Sequence, residues 1–183
     1  MRNSATAAAD DYGLVGALIS GADPFGCSLA ACPLSERTYF AGLNDGSLQL
    51  FRDDDLGFTV DALRFAFIGQ PEMAFGQLAL TGTLADGGTL SVSNDFSGQQ
   101  AGAFRFDQFV LGAFSSATLV SLRIDACLYD SSGACSFEHM STQNQARFAI
   151  DHVQLSMVPE PGPLAMLLFG LAGITLVARR RAR

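Results

Sequence analysis

Short runs of alternating apolar and polar residues, separated by turn residues, fill most of the chain ahead of residue 158. A period of two gives a strand one apolar face, whereas the apolar face of a helix needs a period near 3.6. Residues 89–93 show the strand pattern, and the Asp-Gly-Gly sequence at residues 86–88 is a strong hairpin signal just before them. Strands repeated at this spacing are typical of antiparallel sandwiches and barrels. The sequence therefore predicts an all-β domain, an antiparallel β-sandwich, over residues 36–157.

Two irregularities in the alternation predict where individual strands change face. The apolar phase slips at Asp61–Ala62 in one run, and it slips again at Asp151–His152 in the last run before the tail. A β-bulge adds one residue to one strand and re-aims the side chains beyond it. We expect the last strand to be bulged in this way, with Asp151 fastening the bulge through hydrogen bonds to the backbone.

Two further segments continue the pattern, and each implies which side chains enter the core. In residues 103–111 the rings of Phe104 and Phe106 share one phase, with charged residues in the other. In residues 118–126 the apolar phase begins at Val120 and recurs at every second position. We expect both segments to form strands with these apolar residues facing inwards.

The composition limits what this domain can bind. Acidic residues outnumber basic ones by 18 to 11, for a net charge of −7, and four of the basic residues lie in the tail. The domain before residue 158 is thus more acidic than the whole chain, which disfavours a phosphate backbone and argues against nucleic acid as a partner. Most of the 15 phenylalanines fall in the alternating runs, and we expect them to fill the core rather than line a binding site.

Four cysteines occur as two local pairs: Cys27 with Cys32, and Cys127 with Cys135. An even count in close pairs is typical of disulfides formed in an oxidising compartment. Four cysteines allow three connectivities, and we favour the local one because residues 130–133 are rich in turn formers and could fold two strands back on each other. Neither pair has a CxxC spacing, and His139 and His152 are not placed as zinc ligands, so structural disulfides are preferred to a metal site.

The tail combines a short apolar segment with basic residues. Residues 164–178 are uncharged. Four arginines follow them: Arg179, Arg180, Arg181 and Arg183. As a helix the apolar segment would rise about 22 Å, against a hydrocarbon core of about 30 Å, so it predicts a marginal transmembrane helix. The arginines would lie on the cytoplasmic side and the β domain on the far side. Pro159, Pro161 and Pro163 would keep the approach to this helix extended.

The order of these elements resembles a known sorting signal. Its motif residues are Val158, Pro159, Glu160 and Pro161, followed by the short helix and the arginine cluster. Residues 158–183 resemble the PEP-CTERM signal of exopolysaccharide-producing bacteria, which implies processing by an exosortase-type membrane protease. The resemblance also implies export, an inner-membrane stage held by the helix, and a final place at the cell surface or in the extracellular matrix. A plain tail anchor is the alternative interpretation.

The last predicted strand resembles the same class of protein. The run from Phe148 to Val153, with Asp151 within it, resembles the closing strand of many PEP-CTERM ectodomains. The resemblance covers residues 58–157 and implies a jelly-roll-like sandwich related to carbohydrate-binding modules. Residues 36–52 are expected to add a pair of strands. The predicted organisation is an unassigned segment at residues 1–35, a β-sandwich at residues 36–157 and the sorting signal at residues 158–183.

The amino terminus shows no apolar core of the length that a secretory signal requires. Residues 5–9 are small and are followed by two aspartates, which is typical of a signal-peptide cleavage site. We therefore expect an apolar segment of about 7–15 residues to be encoded in frame upstream of Met1. A flexible acidic leader is the alternative.

No catalytic motif is found in the sequence, so no catalytic residue is assigned. The densest acidic cluster is Asp53, Asp54 and Asp55. With Asp151, these are the candidates for a calcium site, because Ca²⁺ takes six to eight oxygen ligands. An acidic loop without a metal is the preferred interpretation, and no cofactor is expected. His139 and His152 could act as general bases only with a partner carboxylate.

These features together predict an exported, non-catalytic surface or matrix protein that is associated with extracellular polysaccharide. The alternative is a secreted glycan-active enzyme, or a carbohydrate-binding module, on a similar sandwich. Paired carboxylates about 5–10 Å apart in an aromatic-lined cleft would favour the enzyme. A convex sandwich with closed ends would favour the structural role.

Overall fold

The described part of the chain folds into ten antiparallel strands. The computed structural model describes residues 8–10, 13–21, 32–43, 46–54, 56–69, 75–135 and 146–158. The strands are β1 (Ala8–Asp10), β2 (Gly13–Ser20), β3 (Thr38–Gly42), β4 (Leu48–Phe51), β5 (Phe58–Phe67), β6 (Gly76–Leu84), β7 (Thr89–Asp95), β8 (Asp107–Gln108), β9 (Leu119–Leu128) and β10 (Phe148–Met157). One turn of 3-10 helix, Gly112–Ser116, precedes β9. The predicted all-β, antiparallel class is therefore confirmed for these residues.

The sheet has two halves that join at one corner. The first half has the order β1-β2-β3-β10-β5, with β8 also paired to β5, and the second half has the order β4-β9-β6-β7. The halves meet where Phe58 of β5 lies opposite Leu119 of β9. Leu63 of β5, Leu80 of β6 and Leu122 of β9 are fully buried in one core between them. This arrangement is consistent with a β-sandwich.

Aromatic rings dominate the core between the halves, as the phenylalanine content predicts. Phe65 packs on Phe96 and Phe109 with ring centroids 5.8 and 5.3 Å apart. Phe67 packs on Phe96 and Phe104 at 5.4 and 5.3 Å. Such pairs contribute about 0.5–1.5 kcal/mol each beyond the burial of their surface. These rings serve packing rather than ligand binding.

The central part of the first half of the sheet, around β3, β10 and β5, is buried on both faces. Its second face carries a smaller core, in which the rings of Tyr39 and Phe106 meet edge to face at 5.4 Å and pack with Ala149. Phe104 belongs to the main core and Phe106 to this smaller one, so the two rings do not share a face as the alternation at residues 103–111 predicted. The segment crosses the edge of the sheet, and only its β8 residues pair as a strand.

The pair of strands predicted for residues 36–52 exists, but its members do not pair with each other. β3 lies between β2 and β10 in the first half, whereas β4 pairs with β9 in the second half. β1 and β2 belong to the same sheet and fall within residues 1–35, which the sequence left unassigned. The described fold therefore extends on the amino-terminal side of the predicted domain.

Strands β5 and β10 pair over most of their lengths, and each contains one extra residue. β10 gains a residue between Asp151 and Gln154, and β5 gains one between Ala62 and Val60. Because each strand gains one residue, their pairing beyond this point has the same register as before it. Both phase slips predicted from the sequence are confirmed, and they compensate each other.

An aspartate fastens each of these bulges. Asp151 Oδ1 accepts a hydrogen bond from the backbone N–H of His152 at 2.7 Å, and His152 has a left-handed φ of 52°. Asp61 accepts hydrogen bonds from the hydroxyl groups of Thr59, at 3.1 Å, and of Ser156 across the strand pair. The expected role of Asp151 is confirmed, and Asp61 has the corresponding role on β5.

A third irregularity changes which residues of β9 enter the core. The register between β6 and β9 shifts by one residue: Thr83 lies opposite Ser121, but Leu84 lies opposite Leu119. As a result, Leu119 is fully buried and Val120 is not. Val120 is only partly buried, so the prediction that it faces the core with the later apolar residues is wrong. The shift inserts Val120 as an extra residue, and Leu122, Arg123 and Ile124 then follow the predicted alternation, whereas the four residues from Ile124 to Cys127 are all buried.

Candidate functional site

The junction between the β domain and the predicted sorting signal lies at the end of β10. The backbone N–H of Val158 donates a hydrogen bond to the carbonyl oxygen of Gly57 at 3.2 Å, so pairing continues to the residue before Pro159. Met157 beside it is 67% exposed. The rest of the predicted motif, Pro159, Glu160 and Pro161, lies outside the described residues. So do the predicted helix at residues 164–178 and the arginine cluster.

A disulfide closes the hairpin that follows β9. Cys127 and Cys135 are bonded with their Cα atoms 5.6 Å apart, which confirms the predicted local pair. The carboxylate of Asp130 closes the turn by accepting hydrogen bonds from the backbone N–H groups of Ser132, at 2.8 Å, and Ala134, at 2.9 Å. The hydroxyl of Ser132 and these N–H groups hold the pKa of Asp130 below its ordinary value, because they stabilise the charged form.

The same hairpin is tied to the neighbouring strand β7. The hydroxyl of Tyr129 donates a hydrogen bond of 2.5 Å to Asp95, and this bond raises the pKa of Tyr129. Cys32 is also disulfide-bonded and packs against the smaller core. Its predicted partner, Cys27, lies outside the described residues. The described cysteines therefore form structural cross-links.

The acidic turn after β4 contains an ion pair. Arg52 Nε donates a hydrogen bond to Asp54 Oδ1 at 2.7 Å, and a second guanidinium nitrogen contacts Oδ2. The hydrogen bonds from Arg52 lower the pKa of Asp54 to about 2. Asp53 is exposed, and Asp55 lies outside the described residues. Within the described part of the chain, no group of three or more His, Cys, Asp or Glu side chains could hold a metal ion.

The predicted histidine candidates have no catalytic geometry in the described structure. His152 is exposed on the bulge, and its backbone rather than its ring contacts Asp151. His139 lies outside the described residues. Asp151 is engaged by the bulge in β10, whereas Asp53 and Asp54 lie in the turn after β4. Of the four calcium candidates, Asp54 and Asp151 therefore have structural contacts, Asp53 is exposed, and Asp55 lies outside the described residues.

A polar surface covers the side of β4, β9, β6 and β7 that faces away from the core, and we call it the outer face. Leu80 and Ile124 point into the core, so the alternate positions Thr81 and Arg123 lie on the outer face. Thr81 and the exposed Ser91 share a hydroxyl–hydroxyl hydrogen bond of 3.3 Å. No sequence motif identified this surface, although the polar positions in the alternation of β6 and β7 form part of it.

An ion pair on β9 could also have been predicted from the sequence. Arg123 Nε donates to both carboxylate oxygens of Asp125, at 3.0 and 2.8 Å, and Asp125 is only 8% exposed. Residues two apart on a strand lie on one face, so the pairing follows from spacing alone. Because the pair lies on the outer face, the carboxylate of Asp125 neutralises the positive charge of Arg123 there.

Two aromatic side chains on the outer face are exposed. Phe75 is 68% exposed and directly precedes β6, where its carbonyl oxygen accepts a hydrogen bond of 2.8 Å from the N–H of Tyr129. Phe51 is 41% exposed at the end of β4, opposite Ser121. Exposed rings are unusual on a strand face that carries mostly hydroxyl groups, because aromatic residues are generally buried.

Comparison with known proteins returned no match: none from protein-family models, none from curated proteins and none from solved structures. Among the described residues, no helix has the length and hydropathy needed to cross a bilayer.

Proposed function

We propose that this protein is an exported, non-catalytic component of the cell surface or extracellular matrix. Its all-β domain would be a jelly-roll-like sandwich, delivered through the PEP-CTERM-like signal at residues 158–183. An exosortase-type protease would process that signal, and the helix at residues 164–178 would anchor the protein in the inner membrane until then. The mature protein would associate with extracellular polysaccharide.

The observation that carries this proposal is that the last described strand runs to the first residue of the predicted signal. β10 lies between β3 and β5, and its pairing runs to Val158, which bonds to Gly57. All ten strands lie before Pro159, so cleavage in the motif would remove no described element of the fold. The described strands would therefore all remain in a protein cleaved within the signal.

The disulfides support export. The Cys127–Cys135 bond closes a short surface hairpin, and Cys32 is bonded as well. Disulfides persist in oxidising compartments and are uncommon in the bacterial cytosol. They favour a domain that folds outside the cytoplasm, in agreement with the topology expected from the arginine cluster.

Four of the described carboxylates have structural contacts, which favours a non-catalytic role. Asp54 pairs with Arg52, Asp61 and Asp151 fasten bulges, and Asp130 closes a turn. A glycosidase needs one carboxyl group that is free to donate a proton and a second one placed opposite it. These four side chains are committed to holding the strands and turns.

Cell fractionation of a host that encodes an exosortase tests the proposal. We expect the wild-type protein in the surface fraction, with Cys127 and Cys135 unreactive to maleimide until reduced. Replacing Pro159, Glu160 and Pro161 together by alanine should hold the protein in the inner membrane. Pro163→Ala, which removes a proline from the same tail outside the motif, is the matched control and should reach the surface. Recovery of the wild-type protein in the cytoplasm with reactive thiols would contradict the proposal.

A further inference from the structure

We propose that the outer face is a binding surface for a neutral polysaccharide chain that lies along β6, with Phe51 and Phe75 as stacking platforms near its two ends. This inference rests on the proposed extracellular function and names the surface that would contact the polysaccharide. Three observations carry it: the rows of hydroxyl groups, the pairing of the central Arg123 with Asp125, and the two exposed rings.

The strand registers arrange the polar side chains of the outer face in rows. In one row Thr81 of β6 lies opposite Ser91 on one side and Arg123 on the other, and Gln49 of β4 lies beyond Arg123. In the next row Thr83 occupies the corresponding position, between Thr89 and Ser121. Hydroxyl and amide groups both donate and accept hydrogen bonds, which suits a ligand whose surface is mostly hydroxyl groups.

The charge on this face favours a neutral ligand. Arg123 carries the positive charge in the middle of the face, and the carboxylate of Asp125 on the same strand is bonded to it. At the far end Asp95 accepts a hydrogen bond from Tyr129. A uronate or sulfated chain would need unpaired cations, whereas the chain as a whole has a net charge of −7.

The two exposed rings bracket these rows. Phe75 precedes β6 at one end, and Phe51 lies in the row of Ser121 and Thr83 at the other. Phe75 and Thr83 are eight residue steps apart, which is about 27 Å of strand at ~3.4 Å per step. The apolar face of a sugar ring can pack against the face of an aromatic ring. The spacing therefore suits an extended chain with several sugar residues, rather than a monosaccharide.

The same face is poorly suited to a protein partner. The core of a protein interface is apolar and depleted in charge, with aromatic anchors clustered at its centre. Here the centre holds Thr81, Ser91 and the Arg123 pair, and the rings lie at the ends. A linear, hydroxyl-rich ligand is the occupant that matches this order.

Affinity electrophoresis of the full-length protein tests the inference. The gels would contain one of three neutral polymers (dextran, a soluble β-1,4-glucan or galactomannan), and alginate would serve as the charged comparison. We expect retardation by at least one neutral polymer and none by alginate. Phe51→Ala and Phe75→Ala should each weaken that retardation by roughly tenfold in apparent affinity, the size of one favourable aromatic contact. Leu18→Ala, which truncates a 55% exposed side chain on β2 in the first half of the sheet, is the matched control and should not change it.

Each alternative outcome overturns the inference in a distinct way. Equal retardation of the double variant Phe51→Ala/Phe75→Ala and of wild type would place polysaccharide binding elsewhere on the protein and leave the proposed function intact. Surface-located wild-type protein that none of the neutral polymers retards would exclude this face as a neutral-glycan site. Retardation by alginate alone would assign a charged ligand. A circular-dichroism melt of each variant, compared with wild type, identifies any variant that has lost its fold, and Thr81→Val then supplies a second variant on the same face.

Discussion

Asp61 on β5 accepts a hydrogen bond from the hydroxyl of Ser156 on β10, across the strand pair in which each strand contains one extra residue. The bond lies just beyond the point where the second bulge restores the original register. It joins the two strands that carry the most extensive pairing of the first half of the sheet. Because β10 leads directly to the predicted sorting signal, this contact helps to hold the end of the fold in place.

The contact between Asp61 and Ser156 should be measurable as a coupling energy. We expect Ser156→Ala to lower the free energy of unfolding by about 1 kcal/mol, because it removes one hydrogen bond at an exposed site. Asp61→Ala should lower it further, because it also removes the hydrogen bond from Thr59. The double variant should lose less than the sum, with a coupling of at least ~0.5 kcal/mol in a double-mutant cycle. Strictly additive losses in urea denaturation would show that the two side chains act independently.

The left-handed conformation of His152 predicts the effect of side-chain shape at that position. Its φ is 52°, and its side chain is exposed. His152→Val should lower the free energy of unfolding by about 1–2 kcal/mol, because a β-branched residue is strained in this region. His152→Gly should be close to neutral, since glycine adopts this conformation freely but gains entropy when unfolded. Equal stability of the two variants in denaturant unfolding would contradict the bulge geometry.

The disulfide between Cys127 and Cys135 should contribute to stability without being essential for the fold. The loop it closes spans a sequence separation of 8. Closing a loop of that size stabilises by about 2–3 kcal/mol in the chain-entropy model. The variant Cys127→Ala/Cys135→Ala should therefore unfold at lower urea concentration, and peptide mapping of the non-reduced wild type should recover the linked pair. A wild-type protein with free thiols at these positions after export would refute the assignment.

The ion pair in the acidic turn predicts a dependence of stability on acid pH. The pKa of Asp54 is about 2 in the folded protein, below its ordinary value of 3.8, because Arg52 donates hydrogen bonds to it. A lowered pKa contributes stability above pH ~3.8 that is lost as the pH falls towards 2. Asp54→Asn should therefore flatten the fall of unfolding free energy between pH 4 and pH 2. Asp53→Asn removes a charge from the same turn but leaves the pair to Arg52, so it should retain the wild-type slope.

Local patterns in the sequence predict the strands of this protein better than their partners. The period of two identifies β6, β7 and most of β9 and β10, and the phase slips locate both bulges of the β5–β10 pair. Both are short-range properties of the backbone and the apolar face. The turn at residues 86–88 also follows from its sequence: Gly87 has a φ of 85°, and Leu84 and Gly88 are hydrogen-bonded across it.

The pairing between strands that are distant along the chain could not be predicted from local sequence patterns. β3 and β4 are neighbours along the chain, yet they belong to different halves of the sheet. Phe104 and Phe106 have one phase, yet the chain crosses the sheet edge between them and gives each ring a different core. The outer face was missed for a related reason: it is formed by residues from four strands, and no one strand contains a motif.

The intact mass of the protein extracted from the surface of an exosortase-bearing host tests the central claim most directly. The fold extends to Val158, and the predicted motif ends at Pro161. A signal that serves as a transient anchor would be removed at this point, so we predict a mass for a chain that ends between Val158 and Pro161 and lacks Arg179, Arg180, Arg181 and Arg183. A mass that includes these four arginines would make the tail an ordinary membrane anchor and would contradict the sorting function.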